Sequence, residues 1–195
     1  MPRLAIQDEK VTFDEFKELE LEAPAEERWE LINGFIYRMM TGGTAAHNEV
    51  VINISSRLAT HFRQRAMPCR VYSENVKLEH PELNMSVYPD IVVRCGPRKE
   101  NLIAIDDPVV IIEVHSPSTR EKDRRQKLRA YQQIPTVQQY LMIEAKEALV
   151  HVLRRRGGDW LYETFGCKDD VVDVPALDFK ITLADIYEGV IEVRF

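Results

Sequence analysis

Residues 108–144 read PVVIIEVHSPSTREKDRRQKLRAYQQIPTVQQYLMIE, and their pattern decides the fold. Residues 109–115 are an apolar run of strand length, too apolar for a sheet edge and best placed centrally. Ser118 and Glu121 have the spacing of a capping box directly after Pro117, and they open a helix to about residue 133. Pro135 follows it, and residues 138–143 read as a second strand. Strand, helix and strand in this order predict a right-handed crossover between parallel strands. The expected class is α/β, a mixed sheet flanked by helices.

Upstream, residues 70–78 and 88–94 read as two more strands. Val50, Val51, Ile54, Leu58 and Phe62 recur at helical spacing and predict a helix over about 46–65. Asn33-Gly34, between Trp29-Glu30-Leu31-Ile32 and Phe35-Ile36-Tyr37-Arg38-Met39, is a hairpin signal because both central residues of a type I′ turn need positive φ. Thr12 with Glu15 caps a short first helix, and Thr182 with Asp185 a short last one. Residues 149–153 and 160–165 are strands around Gly157-Gly158. With no repeats or low-complexity linkers, the 195 residues are expected to form a single domain over 1–195.

Hydrophobic residues make up 45% and charged residues 30%, ordinary for a soluble globular protein. A net charge of −6 excludes a global attraction to nucleic acid or anionic lipid, so any polyanion must meet a local basic patch. Residues 120–129 carry a net +4, with Arg120, Lys122, Arg124, Arg125, Lys127 and Arg129 against Glu121 and Asp123. Arg154-Arg155-Arg156 is a second basic run. Cys69, Cys95 and Cys167 are odd in number and widely spaced, suggesting neither a disulfide framework nor a zinc site. The start lacks the apolar stretch of a secretory signal and no run approaches the ~20 apolar residues of a membrane span, so a cytoplasmic setting without membrane contact is expected.

Two carboxylates interrupt the apolar runs: Asp90 in Val87-Tyr88-Pro89-Asp90-Ile91-Val92-Val93, and Glu113 in Val110-Ile111-Ile112-Glu113-Val114. Desolvating an ionised carboxylate without a partner costs several kcal/mol or more, so the pair calls for a cation or for proton-transfer work. On adjacent strands they can converge on one face, where hard oxygen ligands suit Mg²⁺ or Mn²⁺. Lys127 lies on the crossover helix four residues before Tyr131, on a stripe with Arg120 and Arg124. Metal, carboxylates, lysine and a cationic helix suit phosphodiester hydrolysis.

Tyr88-Pro89-Asp90, then Glu113-Val114-His115-Ser116-Pro117-Ser118-Thr119, then Lys127 with Tyr131, closely resemble the endonuclease family called Uma-two, formerly a domain of unknown function, in the PD-(D/E)XK nuclease superfamily. The Trp29-Glu30-Leu31-Ile32-Asn33-Gly34 hairpin and His47 also resemble its pattern. The resemblance implies a restriction-endonuclease-like mixed sheet flanked by helices, with additional β-hairpins. It implies a divalent-metal site of Asp90, Glu113 and the Val114 carbonyl, with Glu30 and His47 as further catalytic residues, and a homodimer. Superfamily members commonly place a lysine two residues after the glutamate, where this chain has His115; Lys127 is the implied substitute.

Plainer roles exist for each residue. Asp90 can pair with an arginine, Glu30 with Arg38 across the hairpin, and Lys127 with Asp123 one helical turn away. His115 can be a hydrogen-bonded core imidazole, and the basic runs solvated faces. Three functions therefore stand: a metal-dependent endonuclease acting on DNA, a nuclease-fold module that binds nucleic acid or a partner without cleavage, and a metal-free carboxylate-pair hydrolase.

Overall fold

The computed structural model describes residues 4–5, 9–24, 27–40, 44–115 and 121–191. The expected Ser118 capping box and the side chains of Arg120, Lys122 and Arg124 lie outside the described residues. In chain order the first elements are β1 (Leu4–Ala5), α1 (Phe13–Glu20), β2 (Glu27–Ile32), β3 (Phe35–Met40), α2 (Ala45–Gln64), β4 (Cys69–Ser73), β5 (Lys77–His80), β6 (Met85–Val87) and β7 (Ile91–Cys95). There follow β8 (Ala104–Ile105), β9 (Val110–His115), α3 (Glu121–Gln133), β10 (Gln139–Glu144), β11 (Val150–Arg156), β12 (Asp159–Phe165), β13 (Val171–Val174), β14 (Phe179–Thr182) and α4 (Leu183–Ile186).

The strands form two six-stranded sheets, ordered β1-β3-β2-β6-β5-β8 and β12-β11-β10-β9-β7-β4, and a β13-β14 ribbon. Among the described residues of the second sheet only β9 and β10 run parallel, joined by α3 as expected, with Glu113 opposite Met142. Alternation sorts the faces of β9. Val110, Ile112 and Val114 pack with Val50, Ile54 and Leu58 of α2, whereas Ile111 joins Tyr131 and Ile134 of the α3 side together with Leu78 and Val87 of the first sheet. Fully burying each such side chain contributes about 1.5–3 kcal/mol. Glu113 and His115 share the Ile111 face, so the fold points them at α3 and the first sheet. The capping boxes at Thr12 and Thr182 both form.

One expected strand is divided between the sheets and another is shortened. Residues 70–78 supply β4 to the second sheet and β5 to the first, and the chain turns at Glu74, whose φ of 55° is left-handed. Residues 88–94 supply a strand only from Ile91, where β7 of the second sheet starts; β6 of the first sheet has already ended at Val87. Pro89 has no N–H to give to a ladder, so Tyr88-Pro89-Asp90 becomes the crossing segment, and Asp90 stands at the entrance of β7 rather than inside a strand.

The cysteine expectation is also corrected. Cys69 and Cys95 are opposite one another in the β4–β7 register, with Cα atoms 4.0 Å apart, and form a disulfide. A separation of 26 residues hides a pairing that only the antiparallel register creates. Cys167 is free and exposed. Among the described residues no helix is long and apolar enough to cross a membrane.

Candidate active site

Glu113 is 5% exposed on the α3 face of β9, where a carboxylate is tolerated only with partners. The helix supplies two. Lys127 Nζ donates to Glu113 Oε1 at 2.6 Å, and the Tyr131 hydroxyl donates to the same oxygen at 2.7 Å. Four residues apart, they lie on one helical stripe. Burial pushes the Glu113 carboxyl up, but the Lys127 ammonium, His115 and the two hydrogen bonds together outweigh it and hold it below the usual carboxylate range.

The first sheet contributes Glu30, fully buried on β2. Its Oε1 accepts the Tyr88 N–H at 2.9 Å and lies 3.4 Å from Lys127 Nζ. The Lys127 ammonium is therefore held between carboxylates from both sheets. Arg38 pairs with Glu27 rather than with Glu30.

Asp90 is fixed by the end of a ladder. Ala145 N–H donates to the His115 carbonyl at 2.8 Å, so alternate residues of β9 turn their amide groups to β10 and the residues between turn theirs to β7. Since β7 begins with Ile91 opposite Ile112, Val114 lies beyond its end, and Asp90 Oδ2 accepts the Val114 N–H at 2.7 Å. The Val114 carbonyl turns to the same side of its strand as its N–H, towards Asp90.

The other oxygen, Oδ1, is 3.2 Å from His47 Nε2. His47 sits in the first turn of α2, its N–H bonded to the Thr44 hydroxyl at 3.2 Å. The Asp90 hydrogen bond raises the His47 imidazolium range against burial, with the charges of Asp90, Glu74 and Glu113 adding to it. Burial pushes the Asp90 carboxyl up; the His47 hydrogen bond opposes it and the Glu113 charge adds to it. The two carboxyls are thus driven in opposite directions by their settings.

The five candidate residues form two neighbouring groups, Glu113 and Glu30 on Lys127 and His47 on Asp90, joined where Asp90 accepts the N–H of Val114 next to Glu113; His115 is buried on the same strand. The oxygens of Asp90, Glu113 and the Val114 carbonyl are the hard donors that Mg²⁺ or Mn²⁺ prefers. Among the described residues no three His, Cys, Asp or Glu side chains are grouped to hold a metal ion. A groove of about 320 Å³ lined by Arg57, His61, Lys180 and Asp185 belongs to the α2 side and contains none of these carboxylates.

The second basic run is not a free patch. Arg155 Nε donates to the Val137 carbonyl at 2.7 Å, and its Nη2 donates to the Gln132 and Ile134 carbonyls at 3.0 and 2.9 Å. Its guanidinium lies 4.5 Å over the Trp160 ring, its cross-strand neighbour. Arg155 thereby seats the C-terminal end of the helix that carries Lys127, a role its place in a triple-arginine run concealed. Arg154 donates to the Asp173 carbonyl at 2.9 Å.

The family model described as Uma2, "Putative restriction endonuclease", matches residues 13–184. The chain belongs to the Uma2 family. The Uma2 match spans every residue of the site. Two proteins of Synechocystis sp. (strain ATCC 27184 / PCC 6803 / Kazusa) are similar to it. "Uncharacterized protein slr1290" is 27% identical over 173 residues, 88% of this chain and 89% of its own, and "Uncharacterized protein sll1609" is 31% identical over 129 residues, 65% and 71% respectively. The crystal structure of "a putative nuclease belonging to DUF820" from Anabaena variabilis ATCC 29413 matches with a TM-score of 0.73 and 24% identity, over 93% of this chain and 99% of that one. The Uma2 chain thus has a nuclease fold, mixed sheets flanked by helices.

Proposed function

We propose that this Uma2 chain is a Mg²⁺- or Mn²⁺-dependent endonuclease that hydrolyses DNA phosphodiester bonds. The observation that carries the reading is the convergence of Asp90, Glu113 and the Val114 backbone with a lysine held between two carboxylates. Asp90, Glu113 and the Val114 carbonyl would hold the ion, which when bound supplies an activated water and neutralises phosphate charge. Lys127 places its ammonium where negative charge develops on the phosphate, and Glu30 and Tyr131 fix the geometry of that group and its partner. His47 orients Asp90 through Oδ1, leaving the carboxylate directed by bonds at both oxygens.

A plasmid-nicking assay at low salt tests this with wild type, Asp90→Ala and Glu113→Ala in Mg²⁺, Mn²⁺ and chelator. Cleavage by wild type alone, lost in chelator, is the expected result. Cleavage that survives either substitution overturns the assignment, and salt-sensitive binding without cleavage in any metal selects the non-catalytic module instead.

A further inference from the structure

Carboxylates that would hold a cation also repel a polyanion. Glu113 and Glu30 flank the ammonium of Lys127, and Asp90 accepts the N–H of Val114, the residue next to Glu113. A nucleic-acid strand therefore needs positive charge beside the cluster before it can dock. Arg154 and Arg155 are engaged by backbone carbonyls. Arg28 is placed differently. It precedes Glu30 by two residues on β2 and shares its face, about 7 Å further along the strand.

The Arg28 guanidinium carbon lies 5.4 Å over the ring of Tyr88. Its Nη1 donates to the Glu74 carbonyl at 3.3 Å, and its Nη2 donates to Asn75 Oδ1. Both anchors reach the site. The Glu74 N–H donates to the Asp90 carbonyl at 3.1 Å, and the Tyr88 N–H donates to Glu30. Lys77, 5.6 Å over the same ring, is neutralised by Glu20 and Glu79. Arg28 has no carboxylate partner among the described residues, and its two bonds leave part of its five-donor fork open. A half-buried arginine oriented by a ring and two neutral acceptors keeps its full charge and has little freedom left to lose on binding an anion.

We propose that Arg28, stacked on Tyr88, is a phosphate subsite receiving the nucleic-acid backbone phosphate next to the scissile one. The proposal rests on the nuclease reading and adds the direction of the strand, which runs outward along β2 from Glu30 to the turn at Glu74 and Asn75. The test reads charge rather than stability, which separates a phosphate subsite from a purely structural clasp of that turn.

The measurement is fluorescence anisotropy of a labelled DNA duplex in chelator, titrated across salt, for wild type, Arg28→Met and Arg28→Lys. Loss of one phosphate contact makes the slope of log affinity against log salt shallower by about 0.9 in Arg28→Met, with roughly tenfold weaker binding at low salt. Should that variant not fold, Arg28→Lys retains the slope but loses the fork, and binds several-fold more weakly; wild-type affinity there overturns the subsite. Equal slopes for wild type and Arg28→Met overturn the subsite and leave the nuclease reading standing. A wild type that neither binds at low salt nor nicks plasmid overturns both.

Discussion

Lys127→Met removes an ammonium from between two buried carboxylates while retaining most of the side chain's length. The ammonium is 2.6 Å from Glu113 Oε1 and 3.4 Å from Glu30 Oε1, on a side chain only 6% exposed. Breaking a buried pair by deleting one partner costs about 3–5 kcal/mol, because the charge left behind has lost its counter-ion. Tyr131 still donates to Glu113 and the Tyr88 N–H still donates to Glu30, which places the cost near the lower end, about 3 kcal/mol. For a domain of this size each kcal/mol moves Tm by about 2–4 °C, so the variant should melt roughly 6–12 °C below wild type at neutral pH. Circular-dichroism melts with urea titrations read both numbers. Lys127→Met/Glu113→Gln removes the stranded charge and should recover part of the loss, giving a coupling energy of about 1 kcal/mol or more. A solvated lysine paired one turn away contributes only ~0.3–0.5 kcal/mol, about 1 °C. A melting point for Lys127→Met within that margin therefore refutes the buried pair, and the placement of Lys127 in the site with it.

Three other outcomes follow from the structure. Closing a loop of 26 residues, the Cys69–Cys95 disulfide contributes about 3.5 kcal/mol, so dithiothreitol or Cys95→Ser should lower Tm by roughly 10 °C, and an unchanged melt refutes the cross-link. Arg155→Met removes three charge-assisted bonds, one to the last turn of α3 and two to the segment that follows it, and should cost about 3 kcal/mol, with hydrogen-exchange protection lost in the end of that helix; exposed Arg156→Met should do neither. The Thr182 hydroxyl, with Arg57, holds the Asp185 carboxyl below the usual range, a depressed folded pKa whose stabilisation is present above the unfolded value of about 3.9 and is lost as pH falls through the folded one. Asp185→Asn should accordingly narrow the gap in Tm between neutral pH and about pH 3, and an identical gap in both proteins refutes the linkage.

Asp90 and Glu113 were legible in the sequence because a charge inside an apolar run is anomalous whatever its environment. Glu113 does lie in a central strand, as its neighbours on both sides imply. Asp90 does not, and Pro89 carried the signal: a residue unable to donate to a ladder marks the segment that crosses between sheets. The helix of Val50, Ile54 and Leu58, the Asn33-Gly34 hairpin and the crossover through α3 follow from periodicity and turn chemistry, which are local. The disulfide, the seating by Arg155 and the bond from Tyr131 to Glu113 depend on which strands become neighbours, and local patterns do not record that. Composition misled on the cysteines and again on the basic run: three consecutive arginines read as a surface patch, although alternation on β11 sends the middle one towards α3.

The source of the lysine has a consequence for how the site assembles. A lysine two residues after Glu113 would share its strand face at about 7 Å, and its position would follow from β9 alone. His115 occupies that place, and the ammonium instead arrives from α3. Its location then depends on the seating of the helix by Arg155 and on the packing of Tyr131 and Ile134 against Tyr140 and Leu153. Glu30, from the first sheet, closes the other side of the same ammonium. Strand β9 can therefore be formed while the site is not, because the charge balance around Glu113 is complete only when both sheets and α3 have docked. Fold and site are cooperative here: the pairing that makes a buried glutamate tolerable is also the pairing that positions the lysine.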